Sequence, residues 1–84
     1  EHEGKRQEAE AEYRAVLNLR EKVLGVEHPD TLLTCFNLAQ CLLAQNKSQE
    51  ANEFGQRALQ GAHKILGADH PFTKKCEKLV EELR

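Results

Sequence analysis

The chain has 84 residues, enough for one small domain, which at this size buries only about 60–65% of the surface its unfolded chain exposes. Twelve Lys and Arg against fourteen Asp and Glu give a formal net charge of −2, without the basic excess that nucleic-acid phosphates require. The apolar run around residues 38–43 is far too short to span a bilayer. Cys35, Cys41 and Cys76 are odd in number and form no Cys-x-x-Cys pair, which fits buried thiols in a reducing, cytoplasmic setting rather than a disulfide framework.

Residues 4–24 carry Ala9, Tyr13, Val16, Leu17, Val23 and Leu24 at intervals of three, four and seven, which predicts a first helix with Glu and Arg on its other face. Gly25 suits the left-handed conformation that stops it. His28-Pro29-Asp30 opens a second helix over 30–44, because proline has no N–H to lose in a first turn and Asp suits the positive end of the helix dipole. That helix is apolar around most of its circumference, so it must be contacted on several sides and form the centre. Asn46-Lys47-Ser48 breaks it, with Ser48 expected as the N-cap of a third helix over 48–66 that Gly67 stops. His70-Pro71 opens a fourth helix running to about Leu83. Phe72, Cys76, Leu79, Val80 and Leu83 form its single apolar stripe, with Lys74, Lys75, Glu77, Lys78, Glu81 and Glu82 outside it. No window alternates like a strand, so the fold is expected to be all-α and antiparallel, with about four helices.

The four helices are two copies of one unit. LGVEHPDT at 24–31 returns as LGADHPFT at 66–73, a shift of 42 residues, and the same shift lays KRQEA at 5–9 onto KSQEA at 47–51. A fixed period of this size marks stacked supersecondary units that work through a surface rather than a catalytic pocket. The sequence also contains no methionine, so it is expected to be processed or a piece of a longer protein.

Asn37-Leu38-Ala39, Gln45-Asn46-Lys47, Glu50-Ala51, Arg57-Ala58-Leu59, Leu66-Gly67 and His70-Pro71 resemble the tetratricopeptide repeat, in the long 42-residue form of kinesin light chains and nephrocystin-type proteins. In the first unit Glu8-Ala9, Tyr13-Arg14, Leu24-Gly25 and His28-Pro29 carry the same resemblance. It implies helix-turn-helix repeats forming a short right-handed superhelical solenoid. Residues 5–24 would be the second helix of a truncated repeat, 30–66 one complete repeat, and 71–83 a capping helix or the first helix of a further repeat. Ala39, Ala51 and Ala58 match positions where helices cross closely. Gly55 and Gly61 depart from the pattern, standing where the first unit has Tyr13 and Leu19. An interior glycine costs about 1 kcal/mol relative to alanine, so the third helix is expected to be locally loose.

No constellation supports catalysis, a metal or a cofactor. His28 and His70 are equivalent positions beside helix-starting prolines, which points to a shared role at helix entry. His2 and His63 add no i, i+4 pair and no Cys–His cluster with finger spacing. The clustered glutamates lie among Lys and Arg on polar faces, and the glycines are isolated. The chain therefore reads as a non-catalytic protein–protein interaction module. Taken with the family's geometry, Leu33, Phe36, Asn37, Gln40, Leu43 and Ala44 occupy an arc of about 120° on the second helix, the face that lines the family's concave groove. Asn37 and Gln40 can each donate to and accept from an extended peptide. Phe36 and Leu43 are read either as groove or as core, and basic residues are too sparse on this helix for the family's carboxylate clamp. The alternative is a structural spacer or self-association element, with weak homo-oligomerisation through the uncovered apolar face of the N-terminal helix. By repeat equivalence, which places both at the closing turn of a long helix, Leu24→Ala and Leu66→Ala are expected to be similarly destabilising, as core truncations.

Overall fold

The computed structural model describes residues 3–83. Four helices follow one another: α1 Glu3–Val23, α2 Pro29–Ala44, α3 Ser48–Ile65 and α4 Pro71–Glu82. Each packs on its sequence neighbour, α1 on α2, α2 on α3 and α3 on α4. This is an all-α helical-repeat array, and α2, held between two helices, is its centre.

The turns explain the boundaries. Gly25 and Gly67 adopt φ of 94° and 88°, a region open to glycine at little cost. Their N–H groups donate to the carbonyls of Arg20 and Ala62, closing the ends of α1 and α3. His28 and His70 then take extended conformations as N-caps. The Nδ1 of each accepts from the backbone N–H two residues on, Asp30 and Phe72, at 3.0 Å. Ser48 is not the N-cap of α3. Asn46 turns left-handed at φ 63°, and the Lys47 N–H donates to the Leu42 carbonyl at 2.9 Å, so Lys47 becomes the N-cap of a helix that begins at Ser48, with no side-chain cap.

Leu38, Ala39, Leu42, Ala51, Ala58 and Cys76 are fully buried, with Leu17, Cys35 and Leu79 nearly so. Small residues let the helices approach: a Cβ on Gly61 would lie 2.5 Å from Leu32 Cδ2, and one on Gly55 3.3 Å from Leu83 Cδ1. Both glycines are buried within an unbroken α3, so close approach, rather than looseness, accounts for them. Leu24 and Leu66 differ: Leu66 packs against the core, whereas Leu24 is exposed. The reason is cover, since α3 is packed between α2 and α4 while α1 packs on α2 and meets α3 through polar contacts.

A polar clamp ties α1 to α3 on the outer side. Arg14 donates to Glu10 at 2.8 Å and to Glu50 at 2.9 Å, Arg57 pairs with Glu21, and both guanidiniums lie over the Phe54 ring, 5.7 and 5.4 Å from its centroid. Gln45 and Lys47 also donate to Glu10, at 2.9 and 3.1 Å. Arg14, foremost among these donors, holds the Glu10 carboxyl well below its ordinary range, from 4.5 down to about 2.

Candidate peptide-binding groove

A hollow of about 510 Å³ lies between α2 and α4, lined from α2 by Leu33, Phe36, Asn37 and Gln40, and from α4 by Phe72, Lys75, Lys78, Leu79 and Glu82. These are the same positions of two successive units, since the 42-residue shift carries Leu33, Phe36, Asn37 and Gln40 onto Lys75, Lys78, Leu79 and Glu82. Both helices open on the same His-Pro entry with equivalent N-caps.

Phe36 is both core and wall. It is 8% exposed and meets the edge of Phe72 at a ring-centroid distance of 5.6 Å and an interplanar angle of 66°, a favourable aromatic geometry. Asn37 is half-buried at the base, while Leu33 and Gln40 are exposed. Leu43 and Ala44 do not line the hollow. Leu43 turns onto the core, and at Ala44 the helix ends with its carbonyl taken by Arg6 Nη1 at 3.0 Å. The α4 wall was missed because Lys75, Lys78 and Glu82 read as the solvated face of a closing helix. The signal that finds them is the repeat shift applied to the α2 face.

Chemically the hollow has an apolar floor, an amide wall and an α4 wall of Lys75, Lys78 and Glu82. Among the described residues no salt bridge engages Lys75 or Lys78. An incoming chain therefore meets donors and acceptors at Asn37 and Gln40, apolar contact at Leu33, Phe36 and Leu79, and positive charge from α4.

Nothing nucleophilic or metal-binding accompanies it among the described residues. No group of three or more His, Cys, Asp or Glu is placed to hold a metal ion. Burial pushes the Cys35 thiol up and the Cys76 thiol up to about 11, so both are protonated at neutral pH. His63 Nε2 lies 3.3 Å from Glu77, joining α3 to α4. His2 lies outside the described residues. Among the described residues no helix is long and apolar enough to cross a membrane.

A family model of the tetratricopeptide repeat matches residues 1–64. The chain belongs to that family, whose members generally mediate protein–protein interaction. A search of curated proteins gave no match.

Proposed function

We propose that the chain is a protein-interaction module that holds an extended peptide segment of a protein partner in the hollow between α2 and α4. The observation that carries this reading is the convergence of equivalent faces of two units on one concavity, with amides on one wall and lysines on the other. Asn37 and Gln40 would pair with the peptide backbone, Phe36 and Leu79 would floor a side-chain subsite, and Lys75 and Lys78 would favour a segment bearing carboxylates. Buried, protonated Cys35 and Cys76 support a reducing, cytoplasmic setting. The 42-residue unit and its Leu-Gly-x-x-His-Pro turns support placing the chain with the kinesin-light-chain and nephrocystin form of the repeat.

Selection from a displayed peptide library tests the reading. The native chain should enrich a convergent motif, and Asn37→Ala with Gln40→Ala should abolish recovery while circular dichroism shows an unchanged fold. Equal recovery by the folded double variant would instead favour the second reading, a spacer or self-association element without a peptide site.

A further inference from the structure

The hollow between α2 and α4 carries an ordered set of charges along its α4 wall. Its open face does not come from a missing neighbour: α2 packs on both α1 and α3, yet Leu33 and Gln40 on its groove side stay exposed. The 42-residue shift places Lys75 and Glu82 of α4 at these same two positions, and both are exposed as well.

Along α4 the charges that line the hollow run Lys75, Lys78, Glu82. At 1.5 Å of rise per residue, Glu82 lies about 10 Å along the helix axis beyond Lys75 and about 6 Å beyond Lys78. Among the described residues none of the three takes part in a salt bridge. Lys78 and Glu82 stand one helical turn apart with the lysine first, the less favourable order for an intrahelical pair. Glu82 is also the last residue of α4, where the helix dipole is negative and no basic side chain offsets it. The wall is therefore positive toward the His70-Pro71 entry and negative at the end of α4, with apolar Leu79 in the stretch between.

We infer that the groove takes a charge-ordered segment: a peptide whose acidic side chain meets Lys75 and Lys78 and whose lysine or arginine meets Glu82. This rests on the peptide groove proposed above and adds to it a subsite for a cation and a spacing. An extended chain advances about 3.3 Å per residue, so the two charges stand about two or three residues apart, with an apolar residue between them for Leu79. A segment acidic along its whole length sets a carboxylate against Glu82, and such like-charge juxtaposition suppresses binding. Glu82 thus separates partners that are acidic throughout from partners that change sign, and it fixes which way the segment lies.

Selection from a phage-displayed library of random heptapeptides, run on the native chain and on Glu82→Lys, tests this, with circular dichroism confirming that both fold alike. The native chain should enrich heptapeptides that carry Asp or Glu and, about two or three residues away, Lys or Arg. Glu82→Lys should keep the acidic preference and lose the basic one. In fluorescence anisotropy, the synthetic peptide enriched most strongly by the native chain should bind Glu82→Lys about tenfold more weakly. The same peptide with its basic residue replaced by Glu should regain affinity for that variant, an exchange that a role of Glu82 in helix stability alone would not produce. Enriched segments without a basic residue, or a basic preference that survives Glu82→Lys, would overturn the inference. If those segments still depend on Asn37 and Gln40, the groove stands without it. No enrichment by the native chain overturns both.

Discussion

His28 and His70 do at the entries of α2 and α4 the work usually done by serine or aspartate. Each satisfies one of the orphan N–H groups of a first turn with Nδ1, which requires that nitrogen to be unprotonated. His28→Ala and His70→Ala should each lower stability by about 1 kcal/mol, and His→Asn should retain most of it; urea unfolding of the variants measures this. Their pairing was legible from the repeat, and only the atom responsible needed the structure. Glu10 was not legible. In sequence it is one of several glutamates on a polar face, yet Arg14 of the same helix and Gln45 and Lys47 of the α2–α3 turn converge on it. Its carboxyl titrates near 2 when folded against an ordinary 4.5. The stabilisation is therefore complete above the ordinary value and is lost as pH falls toward the folded one. Thermal midpoints should drop across that window, and Glu10→Gln should lower the neutral-pH midpoint and flatten the decline.

At the scale of helices, apolar spacing and Gly and His-Pro punctuation placed all four elements to within a residue or two. Backbone geometry accounts for the change of cap at α3: a left-handed Asn46 closes the α2–α3 turn before Ser48 can act as a cap. The glycines of α3 show where local propensity misleads. Gly61 lowers intrinsic helicity but admits Leu32, and the gain from that contact is invisible until the facing helix is known. Gly61→Ala should therefore destabilise: overpacking costs about 1–3 kcal/mol, against a propensity gain of about 1 kcal/mol. Thermal melts should also show the Gly61→Ala, Leu32→Ala double variant to be more stable than the sum of the single effects implies, since both touch one contact. Additive effects would place the close approach elsewhere.

Across the whole molecule, the two units differ in what they leave uncovered. The outer face of α1 is apolar and the outer face of α4 is charged, while between α2 and α4 their equivalent faces form one concavity. The α2 wall was readable from the repeat family's geometry. The α4 wall was not, because a groove wall built from Lys75, Lys78 and Glu82 has the composition of any solvated helix face; only its register against α2 distinguishes it. That groove is the central claim, and amide chemical-shift mapping with a library-selected peptide tests it most directly. The account predicts that the largest shifts fall on Leu33, Phe36, Asn37, Gln40, Lys75 and Lys78, and that Lys78→Glu weakens the peptide at least about tenfold, the scale of a lost charge-assisted contact. Shifts confined to α1 and the outer side of α3, with affinity indifferent to Lys78→Glu, would contradict it.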